Sequence, residues 1–486
     1  MNKFKLLRRF KIDFRIPKTH TLMTNKLHFG VTLLTLITIT IISCTKTNDF
    51  VDPAKILPPA LTNGRSYYVS DALGSDGNDG LTLTSTLKTI NAAYTKVVAG
   101  DSVLIMNGTY TGGTVLNILK SGTAAKYITF KNFPGHTPKI LITGNVYQGI
   151  SINGSYIIIQ GLEMQGDNAN ITYAAALASY NTAVAGGTDP NQGAYNTGGI
   201  SIGGPRSQTN FPHHVVIRNC KIHDFPGGGL GSIQADYSIF EGNTIYNNCW
   251  YTMYAGSGIS ILTPFNSDGP DITKYKNIVR NNIVYGNKTT IPWISATPAR
   301  LSDGNGIILD INQFPYGGSA ASNNPYTGRT LAENNVSFNN GGSGIHSYRA
   351  DHVDIINNTT FGNGTNVGYP EIFANSATDV KIINNIMYSR SVLAGGKCNS
   401  VPNSGTSVTY NYNIYFNGTV AVQGANDRIA DPLFVTLSID PLLANFSLSS
   451  GSPAIDAGSS TIFSLKDIKG VSRPKGAGVD CGAYEY

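Results

Sequence analysis

The chain has 486 residues, enough for two or three ordinary domains or for one long repeat array. Only 13% of them are charged, 54 are Gly, and Asn-Asn pairs recur; this suits a β-rich exported protein and excludes a helical bundle or a disordered polyelectrolyte. The formal charge of +6 is concentrated at one end: residues 1–43 hold eight Lys/Arg and one Asp, leaving 27 basic and 28 acidic residues, net −1, so no basic field remains for nucleic acid.

At the N-terminus, Lys26 and His28 precede an apolar run, Val31 to Ile42, followed by Ser43 and Cys44. The run is short for a membrane span and ends in small residues, which marks an export signal. The string "IISC" matches the lipobox of bacterial lipoproteins, so residues 1–43 are expected to be a signal peptide and Cys44 the lipidated residue. Met23 would start a signal of ordinary length. A diacylated cysteine anchors stably where one chain would not. The expected location is therefore the bacterial outer membrane or cell surface, with the membrane as partner through Cys44. Residues 44–65, rich in Thr, Asn and Pro, read as a tether.

From Ser66 comes a strand, a Gly/Asp loop "GSDGNDG", and one short amphipathic helix near Ser85–Val97, with Ile90, Ala93 and Val97 on one face. This helix suits the cap that an exposed repeat end needs. Tyr173–Ser179 is only a weak second helix. Four cysteines follow, Cys220, Cys249, Cys398 and Cys481, and none forms a CxxC metal pair. Disulfides are permitted, with Cys220 and Cys249 closest in sequence; four buried thiols are the alternative.

The remainder repeats itself. "GLGSIQADYSIFEGNTIYNN" (Gly229–Asn248) aligns without gaps on "GIHSYRADHVDIINNTTFGN" (Gly344–Asn363), and that on "EIFANSATDVKIINNIMYSR" (Glu371–Arg390). One asparagine recurs at Asn243, Asn282, Asn335, Asn358, Asn385 and Asn413, with spacings of 39, 53, 23, 27 and 28. The short spacings are bare coils; the long ones carry loop insertions. Coils of this size with three short strands build a right-handed parallel β-helix, because no coil buries its apolar face alone. The repeated Asn predicts a side-chain ladder in a tight turn. The expected organisation is a β-helix over 66–435 and a C-terminal β segment over 436–486 that closes it. A monomer is expected.

The stretch "YYVSDALGSDGNDG…LKTINAAYTKVVAGDSVLIMNGTY" resembles the opening of the pectate-lyase-like β-helix superfamily, and of polysaccharide lyase family 9 in particular. "DPLF…SLSSGSPAIDAG…DIKGVSRPKGAGVDCGAYEY" resembles a segment that often ends such proteins. The resemblance covers roughly residues 66–486 and implies a secreted carbohydrate-active protein with sugar lying along one parallel sheet. It also implies a lysine base two residues after a Gly-x-Gly. The matching position here is Ile308, so that lysine is absent, and no Asp-Asp pair matches the family's calcium motif.

The strands after each ladder turn are "GGISIGG", "GLGSI", "GISIL", "GIILD", "GIHSY" and "EIFAN". Alternation puts Ile307 and Leu309 inside and Ile308 and Asp310 outside. The register then stacks His346 on Ile308 and Tyr348 on Asp310, with Phe373 and Asn375 one coil further. Insertions 167–197 and 288–303 enter this sheet, and 263–276 and 311–328 leave it, which frames a groove. Tyr251, Tyr254, Trp293, Phe314, Tyr316 and Tyr326 lie in or near these loops and offer faces for sugar stacking.

Two chemistries suit the outward residues. In β-elimination from an acidic, pectate-like polysaccharide, Asp303 and Asp310 would hold Ca²⁺ through hard oxygen ligands while His346 or Arg349 serves as base. In glycoside hydrolysis, Asp303, Asp310 and Glu371 supply the paired carboxyls. Tyr348, Trp293 and Asn375 are the expected substrate contacts. A non-catalytic glycan-binding surface protein is the third reading. Asp236, Asp351, His213 and His214 read as turn or strand-start residues.

Overall fold

Every coil is cut from the same three-strand pattern, and the copies stack in parallel. The computed structural model describes residues 64–204, 211–313 and 325–486. The expected export signal, Cys44 and most of the expected tether lie outside the described residues, as do Phe314 and Tyr316. Three parallel sheets of eleven, eight and eleven strands run the length of the stack, forming the expected all-β right-handed parallel β-helix. The interior is one continuous core, to which each coil gives Ile, Val or Leu from alternate strand positions.

The turn asparagines explain the regularity. Each of Asn243, Asn282, Asn335, Asn358 and Asn385 donates from its backbone N and its Nδ2 to Oδ1 of the next, at 2.9–3.1 Å. The last rung, Asn413, donates from both nitrogens to Oδ1 of Asp427, at 2.7 and 3.2 Å. A second ladder runs five residues further on, through Asn248, Asn287, Asn340 and Asn363. It ends on Glu371, whose Oε1 accepts from Asn363 N and Oε2 from Asn363 Nδ2, at 2.8 and 2.6 Å. Both ladders thus stop at an acidic side chain, Asp427 or Glu371, whose carboxyl accepts from the donors left at the open end.

In three of the Asn-Asn pairs the first Asn has a different task. Asn334, Asn357 and Asn384 sit at φ of 52, 53 and 60°, the left-handed region that Asn tolerates. Their side chains leave the coil and hold the C-terminal segment: Asn334 Nδ2 donates to Ser464 Oγ, Asn357 Nδ2 to the Asp480 carbonyl, and Asn384 Nδ2 to the Ile462 carbonyl. Phe446 and Ala483 of that segment pack on outward Val336 and Phe338, while Leu448, Ala454 and Cys481 pack on outward Ile386 and Ile414. The segment therefore lies along the flank of the coils, where it covers an apolar strip.

Among the described residues there are two α-helices. α1 spans Ile90–Lys96, later in starting than the expected Ser85, because Thr89 accepts from Ala92 N and caps it there. Asp76 fixes that cap, accepting from the backbone of Lys88 and Thr89. α2 spans Tyr173–Val184, a full helix where the sequence offers only a weak signal. Its amphipathicity is slight; Ala176 and Tyr180 gain their burial from Met253 and Ile291 of neighbouring insertions. Cys220, Cys249, Cys398 and Cys481 are buried free thiols, and burial pushes them up out of the thiolate range.

Candidate functional site

The eight-stranded sheet is the one whose outer face is framed by insertions. Its inward rows are the core residues Ile150, Ile200, Leu230, Ile259, Ile307, Ile345 and Ile372. The adjacent outward row runs Ser151, Ser201, Gly231, Ser260, Ile308, His346, Phe373. The register is therefore the one expected from alternation, including His346 on Ile308 and Tyr348 on Asp310. The small side chains come first along the stack and the large ones later.

Above the small residues lies an open cavity of about 410 Å³, reaching from Tyr147 and Gln148 to Ile308, Asp303 and Asp310. Asn196 and Thr252 line one wall, where Asn196 Oδ1 accepts from Thr252 Oγ1 and Met253 N at 2.7 and 3.1 Å, and Met253 packs in turn with α2 and Ile291. Trp293 and Tyr254 come from this wall and line the cavity. Tyr326, by contrast, is only 2% exposed, and its hydroxyl donates to Asp236 Oδ1 at 2.6 Å. It is a loop anchor and offers no face to sugar.

Asp303 and Asp310 meet at one end of the cavity. Asp303 stands in the left-handed region at φ 60°. Its Oδ1 accepts from Asn305 Nδ2 at 2.8 Å and its Oδ2 from Ser302 Oγ at 3.3 Å. Burial pushes its carboxyl up to about 6, against those two hydrogen bonds. Asp310 ends its strand, and its Oδ1 is buried with no hydrogen-bond partner. Burial, aided by the Asp303 charge and opposed by Arg349, pushes it up to about 8. Such a carboxyl is protonated at neutral pH and becomes a strong base once ionised. Arg349 is exposed, in the left-handed region at φ 49°, and its guanidinium lies 5.3 Å over the Tyr348 ring.

Three expected catalytic residues are not in the lining of this cavity: exposed Arg349, and His346 and Glu371, which are buried elsewhere. His346 points outward as the register requires, yet it is only 3% exposed. Its ring stacks on Phe373 at 4.6 Å, Tyr369 closes over it at 6.0 Å, and Nδ1 bonds Ser343 Oγ at 2.6 Å. Burial drives its pKa down to about 3, so it is neutral and walled off. Pointing away from the core is not the same as facing solvent once a neighbouring turn folds back. Glu371 is 1% exposed and is the terminal acceptor of the second Asn ladder, which removes it from any site. Tyr348 and Asn375 continue the Asp310 row but lie past the end of the cavity; Asn375 Oδ1 accepts from Ser376 Oγ at 3.1 Å.

The sequence reading missed Asn305. Its Nδ2 donates to Asp303 and to Ser257 Oγ, and its Oδ1 accepts from Ser343 N and Oγ, so it orients Asp303 from below. It also missed the Ser-Gly-Ser floor, although the signal was present: the outward residue of each strand shrinks and then grows along the stack.

A resident Ca²⁺ takes six to eight oxygens. Asp303 and Asp310 offer two carboxylates, the first already engaged by Asn305 and Ser302. Among the described residues no group of three His, Cys, Asp or Glu converges to hold a metal ion. The orphaned Oδ1 of Asp310 has room for one contact, but the pair by itself does not form a calcium cage.

The chain is 23% identical over 299 residues to pectate lyase L of Paenibacillus polymyxa, covering 56% of this chain and 63% of that relative. It thus spans a little under two thirds of the curated relative it matches. Among solved structures, that of pectate lyase Pel9A is 18% identical, with a TM-score of 0.49 and coverage of 88% of this chain and 97% of the other. A rhamnogalacturonan lyase is 14% identical, with a TM-score of 0.40 and coverage of 77% and 91%. The model of the Pel9A-like right-handed β-helix region matches residues 67–381, about two thirds of the chain, and the protein belongs to that family.

Proposed function

We propose that the protein is a carbohydrate-active enzyme that lays a polysaccharide across the small-residue floor of the eight-stranded sheet and cleaves it beside Asp310, by β-elimination from an acidic sugar. The observation that carries this reading is the buried, unpartnered Oδ1 of Asp310 at the end of an open cavity. The proton next to a uronate carboxylate is weakly acidic, and a carboxyl pushed up to about 8 is a better base for it than an ordinary one. Once ionised, near or above pH 8, Asp310 takes that proton, the electron pair forms the ring double bond, and the bond to the neighbouring sugar oxygen breaks, that oxygen gaining a proton from water. Arg349 is the cation beside Asp310 and suits the sugar carboxylate. Trp293 and Tyr254 offer ring faces. The name of the curated relative, a pectate lyase, supports the same substrate class. In the same proposal Cys44 carries the lipid that tethers the enzyme to the bacterial envelope, as the "IISC" motif implies.

Glycoside hydrolysis is favoured by one specific observation: Asp303 and Asp310 share the cavity end, pushed up to about 6 and about 8. Two carboxyls held apart in this way are an acid and a base. A panel of polysaccharides separates the readings. Elimination yields an unsaturated product that absorbs in the ultraviolet; new reducing ends without that absorbance mean hydrolysis. Binding with neither signal would refute both and leave a glycan-binding protein.

A further inference from the structure

The outward row over which the substrate would lie changes character at Ile308. Before it stand Ser201, Gly231 and Ser260; after it stand His346 and Phe373. The sheet does not end there. Two more strands, Ile345–Tyr348 and Ile372–Asn375, continue in register. The cavity nevertheless stops at Ile308, Asp303 and Asp310. Side chains, and not the end of the scaffold, therefore close the groove.

The closure is firmly built. His346 is stacked on Phe373, bonded to Ser343 and covered by Tyr369. Ser343 is bonded in turn to Asn305, which also holds Asp303. Tyr369 reaches back from the turn before the last strand to interact with Ser302, beside Asp303. The stop and the candidate catalytic carboxylates are thus one connected unit. On the other side the floor stays open across five strands, from Gln148–Ile152 to Ile307–Asp310, about 19 Å at about 4.8 Å per strand.

Resting on the reading of this groove as a polysaccharide-cleaving site, we propose that the enzyme works endwise: a chain end enters over strand Gln148–Ile152 and abuts the Ile308–His346–Tyr369 wall, and short units are released beside Asp310. A groove for internal cleavage needs room for sugar on both sides of the cleaved bond. Here the room lies almost entirely on one side.

The test is the size distribution of products released from polygalacturonate, and from xylan as a neutral polymer, in the first few per cent of turnover. The endwise enzyme releases products of one or two short lengths while the remaining polymer keeps its size and viscosity. Tyr369→Ala lowers the wall, and the share of internal cuts rises by about tenfold, as expected when one side chain leaves a pocket wall. Tyr369→Phe keeps the bulk and the endwise pattern. A wild-type enzyme that cuts polymer to a broad ladder with an early fall in viscosity overturns the endwise proposal but leaves the cleavage reading standing. No cleavage of either polymer or of the wider panel overturns both.

Discussion

Replacing Asp310 with Asn tests the state of the groove carboxyl directly. The Asp310 carboxyl is pushed from an ordinary 3.8 up to about 8, chiefly by burial. In the unfolded chain it ionises near its ordinary value, so between pH 4 and 8 the native state holds a proton that the unfolded state has lost. The folded pKa is raised, so its favourable contribution is complete below about pH 4. It is lost progressively as pH rises through about 8. A shift of about 4 units at 1.36 kcal/mol each sets a ceiling of about 6 kcal/mol. The groove is open to water on one side, which reduces this to roughly 2–4 kcal/mol. Asn has the same shape and never ionises. The stability advantage of Asp310→Asn is therefore expected to be small at pH 5, to grow by about 2 kcal/mol or more by pH 8 and to level off above it. Urea unfolding of both proteins at pH 5, 6, 7, 8 and 9 measures the difference. A difference that stays flat, or shrinks with pH, would show that Asp310 ionises like a surface carboxylate and would remove the physical basis of its proposed role. The same variant should lose cleavage by about 10²–10⁴-fold, the usual worth of a general base.

Other expectations are separate from this one. Asn335→Ala removes the rung that accepts from Asn282 N and Nδ2 and donates to the Val279 carbonyl and Asn358. At about 1 kcal/mol per buried bond it should cost about 4 kcal/mol, read as a lower unfolding midpoint with any remaining activity per folded molecule unchanged. Glu371→Ala leaves Asn363 N without its acceptor and Asn363 Nδ2 with only the Ser337 carbonyl, and should destabilise by about 2–3 kcal/mol while KM stays the same; a selective loss of turnover would return Glu371 to the site. Arg349→Ala should raise KM for an acidic polymer several-fold with little effect on a neutral one, since the cation beside Asp310 is gone. Cys44→Ser should move the protein from the membrane fraction to the soluble fraction of the cell envelope or medium; unchanged membrane association would refute the lipid anchor.

The sequence by itself determined the scaffold. One Asn per coil and strict alternation in "GIILD" and "GIHSY" specify the ladder, the stacking register and the inward Ile307 and Leu309, because each is a local pattern repeated at nearly fixed intervals. Asp310 was legible as an outward carboxyl for the same reason, and Asp303 as a candidate carboxyl in the turn before that strand. What the register did not contain is what lies over an outward residue. His346 and Asp310 are both outward, yet Tyr369 from the following coil buries one, while the insertions leave the other at the edge of a cavity. Glu371 reads like any strand-start acid until the turn before it places Asn363 against both of its oxygens. α2 depends on Met253 and Ile291, side chains from a distant part of the chain. Burial and pKa depend on atoms brought together by loops of irregular length, which carry no period to read. The tertiary structure alone therefore decided which of the outward residues faces the cavity.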